Sequence, residues 1–543
     1  MKYKLLLLLS LASLSLASCS ILEDNQGSTG TIYPTTNNPS PSTKPSIKPS
    51  EEETSTSDKA TTKPSGDTPD TMVLNILEFN DLHGHVEQQN GMYGISNAAY
   101  LVDQIRNEDE LDNTILLAAG DMFQETAIAR LSYGRVVIDC MNSMGFDMMH
   151  LGNHEFDWTL DKCLEFWDND PSNGEASFPL LNANVVTDKN ELVVDPSRNI
   201  LPSTIIEREG LKIGLIGLMG DVYSSILASM SKGYKFLASN SEIERIVLAE
   251  GKKLKDNGAD IIIASIHDGN QESVYSYKVN EILSKLKYND EYLIDAVING
   301  HTHSEVKGEF VRPGGASMPA IQSQLYYPNS GTLKAFGRID LKIDMKTKRV
   351  IGSEASHVKV SSAAANYDKD VESIVDSYYE ASKDILDEVY CNNLKPFKRQ
   401  KQAGEWVCNL GMSAAKANAC IINTGGLRGE VPSGMIGFKE IYNFNPFDNR
   451  LIKMEIKGYD LKRFIDGNSK YYYYTTDTGY IDQDKTYTLA IIDYVFYSKY
   501  FNSYRPKVYE ETDIVLRDLM IKELRYYKNT GFNIYEDYNN IHI

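Results

Sequence analysis

The sequence predicts an α/β fold in more than one domain, and three observations predict it. The chain has 543 residues, too many for a single hydrophobic core. From about residue 72, short apolar runs alternate with longer mixed segments, the rhythm of helices laid over a sheet. After about residue 360 a long amphipathic segment leads into a second mixed region.

Taken in order, the N terminus reads as an export signal. Lys2 and Lys4 precede an apolar stretch from Leu5 to Leu16, and "LASC" closes it. That stretch is short for a membrane span. "LASC" resembles the lipobox of bacterial lipoproteins. The resemblance implies a lipidated Cys19 as mature N terminus, a membrane anchor and an extracytoplasmic location. A plain secretory signal with a chance Cys is the simpler alternative. Residues 20 to about 70 are rich in Ser, Thr, Pro and Asn. They cannot bury enough apolar surface to offset their ordering cost, and read as a disordered, partly extended tether.

The next region contains the apolar runs "MVLNILEFND", "NTILLAAGD", "FDMMHLGN", "LKIGLIGLMG", "ADIIIASIHDG" and "LIDAVINGHTH". Helix-like stretches such as "GISNAAYLVDQIRNEDE" and "NSEIERIVLAEGKKLKDNG" lie between them. Strand-like segments close it near residue 360. In "DKDVESIVDSYYEASKDILDEVY", Val371, Ile374, Val375, Tyr378, Ile385, Leu386 and Val389 recur near a 3.6 period, which predicts a connecting amphipathic helix.

Lys and Arg number 55 against 75 Asp and Glu, a net charge of −20. No nucleic acid polymer is expected as partner, because phosphate backbones demand a basic surplus. A small phosphorylated substrate stays open, since a metal ion supplies local positive charge on an acidic protein. Of six Cys, five remain once Cys19 is set aside, and no CxxC pair exists. Neither a disulfide framework nor a thiolate zinc site is expected.

Chemistry concentrates where the apolar runs end. The first stops at Asp81 and His83, the next at Asp121 in "AAGDMF". Others stop at Asn153, His154 and Asp157 in "GNHEFD", at His267 in "SIHDG", and at His301 and His303 in "NGHTH". Seven of the nine His in the chain fall in these apolar runs or the motifs that end them, His85 among them. Side chains at the carboxyl ends of strands converge on one crevice in α/β sheets. Imidazole with carboxylate and no thiolate suits Zn, Mn, Fe, Co or Ni. Seven ligands exceed the needs of one ion, and a carboxylate can bridge two. A pair of ions about 3.5–4 Å apart is the clamp used for phosphoester hydrolysis.

This set of motifs resembles the calcineurin-like metallophosphoesterases, and more narrowly the 5′-nucleotidase family that includes bacterial UDP-sugar hydrolases. The resemblance implies a four-layer α/β/β/α sandwich over residues 71–362, a connecting helix over 363–390 and a second α/β substrate-binding domain over 391–543. It implies two divalent metal ions, Zn, Mn or similar. Asp81, His83 and His303 would serve one ion, Asn153, His267 and His301 the other, with Asp121 bridging. His154 would act on the phosphoryl group or leaving oxygen, and Asp157 would orient it. For Asp157 a helix N-cap is the bland alternative. His85 is either a supporting group behind the ligands or a structural His.

"ACIINTGGLRGEVPSGMIGFKEIYNFNPFDNRL" resembles the substrate-binding domain of that family. Asn423 and Arg428 would contact base, ribose or phosphate, and Phe447 and Tyr494 would stack on the base. Aromatic planes suit any nucleobase through its π face, and Arg donates to phosphate or ribose oxygens. Two departures stand out. The family follows the second aromatic with G-G-D-G, whereas here "IDYVFYSKYFNSY" places Tyr500 at the Asp position. Arg399 is not placed as the family's usual Arg beside the helix Glu, and Gly404 precedes Glu405 instead. The "YYYY" at 471 to 474 reads as packing, with a sheet edge or sugar-binding surface as alternatives. The expected activity is hydrolysis of a nucleotide or related phosphate ester, most simply a 5′-nucleotide. Cyclic phosphodiesters, nucleotide sugars and a non-catalytic binding role are the alternatives. The family also implies a hinge at the connecting helix.

Overall fold

The structure is a computed structural model that describes residues 70–543, except 89–90, 109, 269–276, 328–330, 399–400 and 477–478. The export signal, Cys19, the tether and Arg399 lie outside the described residues.

The strand Thr71–Phe79 sets the architecture. Successive side chains on a strand face opposite ways. Leu74 and Ile76 enter one core, while Leu77 and Phe79 enter another. Ile261–His267 repeats the pattern. Ile261 and Ile263 share the core of Leu74 and Ile76, and Ile262, Ala264 and Ile266 enter a third. Two sheets therefore pack face to face. Helices Ile95–Arg106, Arg135–Met144 and Lys369–Leu386 cover the outside of one sheet, and Asn240–Asp256 and Lys278–Lys285 the outside of the other. The result is the four-layer α/β/β/α sandwich.

The first sheet has seven strands and the second six. Thr71–Phe79, Thr114–Ala118 and Met148–His150 are consecutive parallel neighbours in the first. Ile261–His267 and Ala296–Asn299 are parallel neighbours in the second. All five run into their ligand motifs at the carboxyl end, so parallel pairing brings distant segments to one edge.

Asp368 caps the connecting helix, accepting from the Asp370 and Val371 amides at 2.9 and 2.8 Å. Val371, Val375 and Tyr378 pack into the first domain, while Leu386 belongs to the core of the second. Val389 does not join this buried stripe as its period suggested. The helix stops at Leu386, and Val389 is 41 % exposed at the start of the strand Val389–Asn393.

The second domain is built on a five-stranded sheet in the order Tyr471–Thr475, Ala419–Asn423, Thr486–Ile492, Arg450–Lys457, Tyr509–Val515. Helices Lys401–Ala415 and Leu516–Tyr526 share its core. The four tyrosines form an edge strand, half-buried against that core, so edge and packing readings both hold. They also account for Gly404, because a Cβ there would run into the Tyr472 ring. The five described cysteines are free and buried. Among the described residues, no helix is long and apolar enough to cross a membrane.

Candidate metal centre and substrate cavity

The expected ligands meet at the shared strand edge. Five sit in left-handed backbone conformation: Asp81 (φ 53°), His83 (51°), Asp121 (55°), His301 (78°) and His303 (50°). Each such non-Gly residue costs on the order of 1–3 kcal/mol, and strain of this kind gathers at functional sites. The neighbouring glycines let the loops close on one another. A Cβ on Gly152 would strike the Asp121 carboxylate, and one on Gly300 would lie 2.8 Å from His267 Nδ1.

Backbone carbonyls aim the imidazoles. His83 Nδ1 donates to the Gln124 carbonyl at 2.9 Å, and His267 Nδ1 to that of Ala119 at 2.8 Å. Each turns its Nε2 toward the cluster. His83 Nε2 lies 2.9 Å from His303 Nε2, and His303 Nε2 lies 3.3 Å from Asp81 Oδ1. His267 Nε2 lies 2.9 Å from Asp121 Oδ2. Asn153 Oδ1 meets His301 Nδ1 at 2.7 Å. Asp81 accepts the His301 amide at 2.8 Å, and Asp121 the His154 amide at 2.7 Å.

These donors fit two divalent cations. The ligand atoms of Asp81, His83 and His303 lie within 4.8 Å of one another, and so do those of Asp121, His267 and His301. Asp81 Oδ1 is buried with no hydrogen-bond partner. Burial opposes charge on His267, yet the Asp121 carboxylate lifts it to about 10. Buried carboxylates that draw a proton onto an imidazole are carboxylates built for a cation.

His154 Nδ1 meets Asp157 Oδ2 at 2.7 Å. Burial works against its charge, but Asp157 and Asp121 raise it to about 9, so it holds a proton at neutral pH. Asp157 is not a helix N-cap. Thr159 caps the following helix, accepting the Lys162 amide at 3.3 Å. His85 packs at a tilt against Tyr326, with ring centroids 4.1 Å apart, and burial lowers it to about 4. It is a neutral packing group behind His83.

Sequence reasoning missed several supports. Glu155 is buried and accepts the amides of Asp121, Met122 and Gly152 at 2.8, 2.8 and 2.6 Å. It ties the "GD" loop to the "GN" loop, and its place inside "GNHEFD" was the available signal. Asn80 accepts the Ser323 amide at 3.1 Å and donates to the Ser323 carbonyl at 3.0 Å, anchoring the segment before Asp81. Gln124 and Glu125 reach the second domain, and no sequence pattern marks them.

Asn423, Arg428, Phe447 and Tyr494, all on the second domain, line one cavity of about 420 Å³ together with Asp121, Asn153, His154, Asp157, His301 and His303. That size is ordinary for a small-ligand site. The Phe447 ring lies near-parallel to that of His154, with centroids 6.1 Å apart, and the Arg428 guanidinium stands 5.4 Å from the Phe447 ring. Contacts across the domains close the cavity. Gln124 donates to the Pro446 carbonyl at 2.9 Å, Arg130 pairs with Asp448 at 3.3 Å, and Lys439 with Glu87 at 2.7 Å. Tyr500, 56 % exposed, is not among the cavity-lining residues.

Fold and centre together define a metal-dependent phosphoester hydrolase. Residues 74–305 match the calcineurin-like phosphoesterase model, and residues 388–479 match the 5′-nucleotidase C-terminal domain. The chain belongs to the family that joins these two domains, whose phosphoesterases use two divalent metals. It is 27 % identical over 424 residues to a Bacillus subtilis protein named endonuclease YhcR, a match that covers 72 % of this chain but 32 % of that one. It is 25 % identical over 433 residues to a Vibrio cholerae 5′-nucleotidase, covering 73 % of this chain and 75 % of that protein. Among solved structures, a 5′-nucleotidase precursor from Thermus thermophilus has the same fold, with TM-score 0.67 at 16 % identity, covering 84 % of this chain and 97 % of that one.

Proposed function

We propose that this chain is a 5′-nucleotidase that releases nucleoside and phosphate outside the cytoplasm, tethered through a lipid on Cys19. Asp81, His83 and His303 would hold one ion and Asn153, His267 and His301 the other, with Asp121 placed to serve both. When bound, the ions supply positive charge at the phosphoryl oxygens and make water more acidic. Asn423 and Arg428 hold the ribose side of the substrate, and Phe447 and Tyr494 flank its base. Water oxygen bonds to phosphorus as the ester P–O bond breaks; one water proton stays on the released phosphate and the other passes to solvent, while the leaving 5′-oxygen takes its proton from His154, which solvent reprotonates and Asp157 keeps oriented.

One observation carries the reading: a single cavity has Asp121, Asn153, His301 and His303 of the ligand cluster on one wall and Arg428, Phe447 and Tyr494 on the other. The test is a panel of 5′-nucleotides, 2′,3′-cyclic nucleotides, nucleotide sugars and a short oligonucleotide, assayed with Mn or Zn on protein lacking its signal. Preference for 5′-nucleotides supports the proposal. Preference for cyclic esters or nucleotide sugars favours the second reading, which the missing G-G-D-G element near Tyr494 supports. Domain 71–362, the connecting segment 363–390 built on the helix Lys369–Leu386, and domain 391–543 form the working unit, with that segment as hinge. A disulfide staple across the domains that left turnover unchanged would count against the hinge.

A further inference from the structure

We infer that Glu125 is a specificity-determining residue: its ion pair with Arg428 restricts the cavity to esters bearing a single phosphoryl group. The inference rests on the reading of the cavity as a nucleotide site.

Glu125 and Arg428 come from different domains. Glu125 Oε1 lies 3.0 Å from Arg428 Nε, and Oε2 accepts the Tyr326 hydroxyl at 2.7 Å. The Glu125 side chain is 7 % exposed, whereas that of Arg428 is 31 % exposed and borders the cavity. The carboxylate thus stands behind the guanidinium and cancels its charge from the closed side. Glu125 holds this place at φ 148°, a backbone region in which a side chain other than glycine's is strained. A glycine would be at ease here, so the strain is tolerated for the sake of the side chain.

The pair stands beside the ligand cluster. Glu125 Oε2 is 3.8 Å from His83 Nδ1. With a terminal phosphoryl group at the ligand cluster, the next group along the substrate meets Arg428. In a nucleoside monophosphate that group is the neutral ribose. In a diphosphate it is a second anion. Among the described cavity-lining residues Arg428 is the one Lys or Arg, and the other cation, His154, is already paired with Asp157 as Asp448 is with Arg130. An arginine already neutralised by Glu125 donates hydrogen bonds to ribose hydroxyls but offers no net charge to a second phosphate. Selection by an unfavourable charge against the wrong ligand is the physical device.

The experiment compares initial phosphate release from a nucleoside 5′-monophosphate and its 5′-diphosphate in wild type, Glu125→Gln and Glu125→Gly, each loaded with the same metal. Glutamine keeps the Tyr326 hydrogen bond and removes the charge, while glycine also relieves the backbone. The readout is the ratio of kcat/KM for the two nucleotides, which a general folding defect does not move. Wild type is expected to favour the monophosphate by about tenfold or more, and both variants to shrink that ratio at least about fivefold. A ratio unchanged in both variants, or a wild type that prefers the diphosphate, overturns the inference alone. Turnover of p-nitrophenyl phosphate with no cleavage of either nucleotide overturns the nucleotide reading, and this inference with it.

Discussion

His83 Nε2 and His303 Nε2 face each other at 2.9 Å, although their residues stand 220 positions apart in the chain. The His83 proton is committed to the Gln124 carbonyl, so the His83 nitrogen brings a lone pair to the contact. Placing Asp81 Oδ1 3.3 Å from His303 Nε2 makes the group a cation receptor. Chelation should therefore abolish phosphate release and lower Tm, with both restored by Mn or Zn. Saturation about a thousandfold above Kd corresponds to about 4 kcal/mol of stabilisation. Elemental analysis should find two ions per chain, and a Tm insensitive to chelator would contradict the assignment.

Asp121 should be the most sensitive single ligand. Its Oδ2 faces His267, its Oδ1 takes the His154 amide, and Glu155 holds its own amide. Asp121→Ala should cut kcat by about 10³-fold or more and reduce metal content, since both ions lose a shared oxygen. Near-normal activity would exclude the bridging role.

The pairing of His154 with Asp157 predicts a graded response. His154→Asn should lower kcat by about 10²–10⁴-fold with metal content intact. Asp157→Asn should cost about 10–100-fold, because orientation is lost but the imidazole remains. Kinetics on phenyl phosphates with leaving groups of falling pKa provide the check. If His154 protonates the leaving oxygen, the defect of His154→Asn shrinks as the leaving group becomes more acidic.

Phe447 should matter to nucleotides alone. Base stacking is worth about 1–3 kcal/mol, so Phe447→Ala should raise KM for a 5′-nucleotide by about 5- to 150-fold. KM for p-nitrophenyl phosphate should change little. Equal losses on the two substrates would remove the stacking role.

Asp493 precedes Tyr494 and accepts its amide at 2.8 Å. Burial pushes its carboxyl up to about 6, although amide hydrogen bonds and Arg450 pull the other way. A carboxyl whose folded pKa exceeds its unfolded value favours the fold when protonated. Its stabilisation is full below about pH 4 and is lost as pH rises through about 6. Asp493→Asn should therefore raise stability above pH 7 by about 1–2 kcal/mol, with the gain over wild type vanishing toward pH 4. Denaturant melts across that range test it, and a gain that persists at pH 4 would refute the cause.

The ligand set was legible in the sequence because metal chemistry dictates residue type. Asp81, His83, Asp121, Asn153, His267, His301 and His303 each follow an apolar run, and parallel strands deliver such ends to one edge. The alternation of apolar runs with helical segments likewise carried the α/β class. The tertiary structure alone decided what depends on orientation and on contacts between distant segments. Composition does not record which nitrogen of His267 faces Asp121, that Thr159 rather than Asp157 caps a helix, or that the stripe of the connecting helix ends before Val389. Nor does it record that Glu125, an ordinary acidic residue in a loop, turns into the interior to meet an arginine about three hundred residues onward. Residue type encodes the chemistry a position can perform, whereas a side chain's partners are set by packing, which the whole chain settles together.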